Sequence, residues 1–410
     1  MLQRAERRRR SDLVVAAAIA VAVVVGAVLY AVLGPGGNTT LVTADGPIPA
    51  APPAAVDVPA AVSELWRAPS PATSAAPVAE GAVVVTGDNA PDGGTVAGRE
   101  AVTGKVRWSY HRDRPLCAVT AAWQTPVAVF RKDEFCADVT KFEPDTGQRD
   151  RQRNSDVRPD IRFVDLGKLL GAVGADYLEV WRSDLVKTVE YGDNRTPVQP
   201  NRQPHRGCRH LGATGTDDRI VVLEHCPAEA TDRLTALDSD GEHADKPEIA
   251  FSVLLPAAGA KLVAATPDRV AVMLPNPNRL SIRDVKGNEI ASHPVDVPAG
   301  DLPGDRQGDL APTSDSLRWA LWWTGSRTVG LDIVTLAPVW TRPDALGPGT
   351  TWSGRLVIPV RGGLAVLNAD TGAPIRVVPV NRGDWTGPVT LATLGSVLVE
   401  QRGPTVVALH

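Results

Sequence analysis

Helical periodicity is what this 410-residue chain lacks most. Beyond residue 33 no segment keeps a 3.6-residue apolar period, and the nearest, Leu166–Leu170, is too short. Helical layers are therefore excluded, and the folded part reads as all-β. Cysteine is scarce: there are four, none adjacent to another and none near the N-terminal apolar run, which excludes a lipid-modified N-terminus. Lysine is scarcer than arginine, 8 against 35, as a GC-rich genome gives. An excess of positive charge is missing too. Of 43 basic and 47 acidic residues, the first twelve positions hold five and two, which leaves 38 and 45 and a net −7 for the rest. General nucleic-acid binding is disfavoured on that balance. There is no phosphate loop, no nucleotide-binding glycine motif and no Ser/His/Asp signature in context.

What is present is turn chemistry. Hydrophobic residues are 43% and charged residues 22%, with 37 Gly and 35 Pro, a globular composition that favours turns. The clearest unit is Ala365–Val377, AVLNADTGAPIRV. A short apolar strand meets Asn368-Ala369-Asp370-Thr371-Gly372, and a β-branched strand returns. Asn and Asp bond their own backbone, and Gly supplies a positive φ without steric cost. Degenerate copies of this hairpin start at residues 100, 143, 182, 238, 283, 332 and 368, a mean period of about 45 residues. Several short strands per unit at that period are the signature of a β-propeller. Near-continuous apolar runs, such as Arg219–Glu224, Arg269–Leu274 and Arg355–Val360, fit second strands buried between blades, and Gly81–Thr86 reads as a first strand.

Ring closure is legible as well. Seven full hairpins lie between Glu100 and Val378, and Thr405–His410 begins an eighth. Its outer strand can come from Glu64-Leu65-Trp66-Arg67, which resembles Val106-Arg107-Trp108. The expectation is eight four-stranded blades with the termini sharing one, seven blades being the alternative. An open ring would expose two unpaired sheet edges.

Upstream of the ring, residues 1–12 form a basic tail with Arg4 and Arg7–Arg10. Residues 13–33, Leu13–Leu33, carry no charge. A helix of that length spans roughly 30 Å, the thickness of a bilayer core. The basic flank places the tail in the cytoplasm and the remainder outside, as a single-pass protein of the cell membrane. A cleaved signal peptide is the rival, for which Gly34-Pro35-Gly36-Gly37 is a poor cleavage site. Residues 34–62, rich in Pro and Ala, read as a flexible or partly extended linker, and 63–410 as the ectodomain.

Five groups of residues could carry chemistry or bonding. Cys117/Cys136 and Cys208/Cys226 are 19 and 18 residues apart, each pair inside one repeat. If the first Cys begins a strand and the second ends its antiparallel neighbour, both pairs reach disulfide distance, on the oxidising side of the membrane. His205, Cys208, His210, His225 and Cys226 also resemble a zinc set, but the sister pair has the same spacing and no histidines, so no metal is expected. Asp145-Thr146-Gly147 and Asp370-Thr371-Gly372 match an aspartic-protease tripeptide, yet both sit in the repeated turn and belong to different blades. Trp66, Trp108, Trp319, Trp322, Trp323 and Trp340 read as inter-blade packing, with a stacking platform as the alternative. Arg195, Arg202, Arg206 and Arg209 lie in a Pro-rich loop without an acid. That loop is a solvated insertion or a partner-binding contact for anionic lipid or wall polymer.

The turn motif resembles that of the PQQ-like, quinoprotein-type propeller repeats, best at Ala365–Gly372 and partly at Gly98–Trp108 and Leu331–Trp340. The basic, hydrophobic, Pro-rich head resembles membrane-anchored actinobacterial members of that group. The resemblance implies a propeller over 63–410. Dehydrogenases of the group hold a quinone with an adjacent-Cys disulfide, a stacking Trp and calcium-binding acids. This chain has no Cys-Cys pair, so no cofactor is expected. Non-enzymatic members imply the leading reading, a non-catalytic scaffold for an envelope protein or wall component. A quinoprotein-like oxidoreductase is the runner-up. A ligand-sensing ectodomain is third, since only twelve residues lie inside.

Overall fold

Each copy of the repeated turn joins the third and fourth strands of an antiparallel sheet, and the described residues form eight such sheets. The computed structural model describes residues 10–33, 39–73, 75–195, 197, 199–301, 313–316 and 318–410, so most of the basic tail and positions 34–38 lie outside the description. Blade 1 is Val78–Glu80, Val83–Ala90, Gly93–Glu100 and Val106–Arg112; blade 2 is Leu116–Ala122, Thr125–Lys132, Phe135–Phe142 and Arg149–Asn154. Blade 3 is Arg162–Asp165, Leu169–Val173, Tyr177–Arg182 and Lys187–Gly192; blade 4 is Arg209–Thr216, Arg219–His225, Arg233–Asp238 and Ile249–Leu254. Blades 5, 6 and 7 span 261–294, 313–343 and 350–379.

First strands of adjacent blades contact one another around the ring axis. The apolar run Gly81–Thr86 falls mainly in the second strand of its blade; the first is the three-residue Val78–Glu80, too short to stand out. Second strands are buried on both faces, as Ile220–Leu223 shows. Neighbouring blades cover both sides of the pleat, and that is why these runs do not alternate.

The closing blade, blade 8, is shared as the sequence predicts. Glu64–Pro69 pairs with Thr405–Leu409, followed inward by Val397–Arg402 and Val389–Leu394. The register sets Trp66 against Ala408 and Arg67 against Val407. Ser63 and His410 exchange backbone hydrogen bonds of 2.9 and 3.0 Å just beyond the strand ends.

Blade-to-blade contact follows a size rule. The last residue of the repeated turn has positive φ, and Gly104, Gly147, Gly287 and Gly372 take it freely. Onto these glycines the preceding blade lays an aromatic ring: Trp66 on Gly104, Trp108 on Gly147, Phe251 on Gly287 and Trp340 on Gly372. A Cβ at Gly147 would sit 2.5 Å from Trp108. The indole NH groups of Trp66 and Trp108 donate to the carbonyls of Ala101 and Pro144 in the same turns, at 2.8 and 2.6 Å. In blades 3 and 6 the turn ends instead in Leu185 and Leu336, both at positive φ and both buried. The preceding outer strands, Arg149–Asn154 and Glu289–Pro294, carry no aromatic residue. Leucine supplies from the turn the bulk that the strand does not.

Residues 40–62 of the Pro-rich segment are fastened to the wheel. Thr40–Val42 adds a fifth strand to blade 1, opposite Ser109–His111. Ala44 donates to the Thr146 carbonyl at 3.0 Å. Gly395 of blade 8 leaves room for the Pro52 carbonyl, which a Cβ would approach to 1.7 Å. Asp57 pairs with Arg355 at 3.3 Å, Arg376 donates to the Val58 carbonyl, and Val58 is buried. Upstream, the helix Arg10–Leu33 is apolar on every side over 13–28, with Leu13, Ile19 and Val24 more than half exposed. Among the described residues no helix is long and apolar enough to cross a membrane.

Candidate functional site

Both disulfides form, Cys117–Cys136 and Cys208–Cys226. In blade 4 the bond joins the ends of the first two strands, where Arg209 pairs with His225. In blade 2 the placement differs from the expectation, because Cys136 begins the third strand rather than ending the second. The turn after Lys132 is only two residues long, and Cys117 lies at a bulge between Leu116 and Ala118. The bond therefore reaches past the hairpin turn.

Each histidine beside the second disulfide is hydrogen-bonded, and His205 also meets the Tyr191 hydroxyl at 2.7 Å. His205 Nδ1 lies 2.9 Å from Glu224 Oε1, and His225 Nδ1 lies 3.1 Å from Asp232. His210 Nδ1 is 3.1 Å from the Gly174 carbonyl, and burial lowers its proton affinity. Sequence reasoning overlooked Glu224, hidden inside the apolar strand Arg219–His225. Its buried carboxylate accepts from Tyr191 at 2.8 Å and Thr235 at 2.6 Å, and lies within 4.8 Å of both sulfurs. Burial alone would raise it, but hydrogen bonds from His205, Thr235 and Tyr191 hold it below the usual carboxylate range.

Three of the four arginines of the basic loop are paired with acids in space. Arg195 pairs with Glu134 at 2.9 Å, Arg202 with Asp245 at 3.0 Å and Arg206 with Asp193 at 3.5 Å, and Arg209 is engaged as well. Glu134 and Asp245 come from other stretches of the chain and Asp193 lies just before the loop, which is why residues 195–210 look uniformly basic in sequence. The two Asp-Thr-Gly tripeptides lie in the turns of blades 2 and 7, where Asp145 accepts from the Ala82 amide at 2.7 Å. The tryptophans pack between blades: Trp319 and Trp323 donate to the Ala369 and Ala345 carbonyls on the blade 7 side, and Trp322 packs into the core shared with blade 5.

On the first strands of three different blades, the carboxylates of Glu80, Asp165 and Asp315 are held above the usual carboxylate range. Burial raises each, and the charge of Asp165 adds to the rise at the other two. Replacing Asp165 with Asn keeps an acceptor for the Gly167 amide, now 2.8 Å away, and removes the repulsion. Raised carboxylates favour the fold most at low pH and lose that contribution as pH climbs through the folded pKa. Asp165→Asn should therefore raise the melting temperature at pH 7, and the gain should vanish by pH 3. A gain independent of pH would remove the electrostatic account.

A cleft of about 610 Å³ lies at the rim between blades 1 and 2. Tyr110 and Arg112 wall one side, Asp138, Thr140, Arg149 and Asn154 the other, and Thr39 and Leu41 of the fastened segment close it. Asp138 accepts from Arg112 at 3.1 Å and Arg114 at 2.6 Å. The Arg149 side chain makes no hydrogen bond or ion pair among the described residues; its guanidinium lies 5.9 Å from the centre of the Tyr110 ring. The one sequence signal near this cleft was the strand Arg149–Asn154, RDRQRN, which carries three arginines, whereas the outer strands of blades 1, 6 and 8 carry tryptophan.

No protein-family model matches the sequence, and no curated protein is significantly similar to it. Solved structures are similar in shape. BamB from Moraxella catarrhalis has a TM-score of 0.49 and 12% identity over 85% of this chain and 99% of that one. The computationally designed Ika8 protein reaches 0.50 and 14% over 84% and 98%. The quinohemoprotein alcohol dehydrogenase from Comamonas testosteroni reaches 0.50 and 11% over 85% and 76%. At identities this low the likeness is one of fold, and the chain is an eight-bladed β-propeller of four-stranded antiparallel blades.

Proposed function

We propose that this chain is a membrane-tethered, non-catalytic propeller that binds an envelope protein or wall component outside the cytoplasm. The observation that carries the reading is the fastening of 40–62 across blades 1, 8 and 7, directly after an apolar helix with no covered side. A helix apolar all round needs an apolar surrounding, and the uncharged run Leu13–Leu33 has the length of a bilayer core. Whatever holds that helix also holds the wheel through the fastened segment. Two disulfides suit an oxidising compartment. A binding role is supported over chemistry because the histidines and Glu224 are engaged in structural hydrogen bonds.

A reporter active only outside the cytoplasm, fused after His410, should be active and should sediment with membranes. An inactive reporter, or a shortened soluble product, would replace the anchor with another topology. Crosslinking in the native membrane should capture an envelope component on the wheel. A stoichiometric complex with added PQQ and calcium that reduces a dye would overturn the non-catalytic reading.

A further inference from the structure

The geometry points to a phosphoryl-binding site in the cleft between blades 1 and 2, placed within reach of membrane headgroups; the placement rests on the anchor reading above. The cleft holds more positive than negative charge. Asp138 is shared by Arg112 and Arg114, which leaves one charge over. Arg149 has no acid and adds a second. Arg153 is engaged elsewhere, donating to the Leu185 carbonyl and lying 3.8 Å from Glu179. Two uncompensated positive charges thus sit in a domain whose overall balance is negative.

Hydrogen bonding points the same way. The Nε of Arg112 is buried and has no partner among the described residues. An unsatisfied buried donor costs about 1–3 kcal/mol, which a turn of the Arg112 guanidinium toward an acceptor in the cleft would relieve. Thr39, Thr140, Gln152 and Asn154 give the lining further polar groups. Arginine forks match phosphoryl oxygens two at a time. A dianion neutralises the cleft, whereas a carboxylate leaves one charge uncompensated.

Position gives the source. Thr39 lines the cleft and lies six residue steps beyond Leu33, a reach of at most about 20 Å. If the helix is in the bilayer, the cleft can meet the phosphomonoester of a lipid headgroup such as that of phosphatidic acid, whose charge approaches two at neutral pH. A free phosphate or phosphomonoester offers the same chemistry.

The test uses the full chain in neutral detergent, titrated by calorimetry with inorganic phosphate, short-chain phosphatidic acid, short-chain phosphatidylcholine and acetate. Saturable phosphate binding is expected, about tenfold tighter than acetate and about tenfold weakened by Arg149→Gln. Arg149 is exposed and its side chain makes only the contact with the Tyr110 ring, so that variant should melt close to the wild type. Arg112→Gln, checked for folding by the same melt, should weaken binding similarly. Phosphatidic acid binding more tightly than phosphate, with phosphatidylcholine inert, would support the site with a lipid source. Equal binding of phosphate and phosphatidic acid would support it with a free phosphoryl source. No saturable phosphate binding, equal binding of acetate, or no effect of either substitution would overturn the proposal. Membrane fractionation reports the anchor separately: a soluble chain that binds phosphate keeps the site and removes its membrane placement.

Discussion

Deleting Pro404–His410 should unfold or aggregate the protein, an effect far larger than seven residues at a terminus usually have. Thr405–Leu409 is an inner strand of blade 8, paired with Val397–Arg402 on one side and Glu64–Pro69 on the other. Its side chains Val406, Val407, Ala408 and Leu409 are all buried. Two valines and a leucine represent roughly 1.5–3 kcal/mol each in transfer terms. That already approaches the ~5–15 kcal/mol by which a typical domain is stable. The further loss is closure. Without the strand, Glu64–Pro69 has nothing to pair with, Trp66 is no longer held over Gly104, and Val397–Arg402 becomes an open edge. Removing Glu64–Pro69 should do comparable damage, and removing both should cost little more than removing one, because they form one blade. Thermal melts and light scattering of the three deletions check this. A C-terminal deletion that melts with the intact protein would mean that the ring holds without its shared blade.

Closure was legible because Leu65-Trp66-Arg67 carries the outer-strand pattern of Val106-Arg107-Trp108 and stands apart from any complete unit. The repeated turn was legible for a similar reason. Asn368 accepts from the amides of Asp370 and Thr371 at 2.9 and 3.0 Å, a local arrangement that residue types alone dictate. First strands such as Val78–Glu80 and Thr350–Trp352 are too short to carry a period. The docking of 40–62 rests on isolated contacts, chiefly Val58, Asp57 and Pro52, with no pattern between them. The cleft is assembled from positions 39, 112, 138 and 149 on different elements, so no sequence window contains it. Glu224 escaped because a single acid in a buried strand looks like a defect until Tyr191, His205 and Thr235 are brought to it by the fold.

The size rule between blades leads to the second large effect. Trp108→Ala should cost about 3–5 kcal/mol, the usual range for emptying a buried aromatic site. Trp108 is fully buried, stacks on Phe142 with ring centres 5.6 Å apart, and donates to the Pro144 carbonyl. Gly147→Leu should be comparably harmful for a different reason. The position has φ of 71°, where a side chain costs roughly 1–2 kcal/mol, and the new Cβ would meet the indole at 2.5 Å. Combined, the two changes rebuild the arrangement found in blades 3 and 6, where Leu185 and Leu336 accept positive φ and fill the core next to an outer strand without an aromatic. The double variant should therefore be more stable than the sum of the single losses by about 2 kcal/mol, within the range measured for contacting residues. Chemical denaturation of the four proteins, with unchanged m-values, gives the coupling directly. Strict additivity would show that the leucine turns of blades 3 and 6 are not an alternative filling of the tryptophan slot, and that ring and turn vary independently from blade to blade.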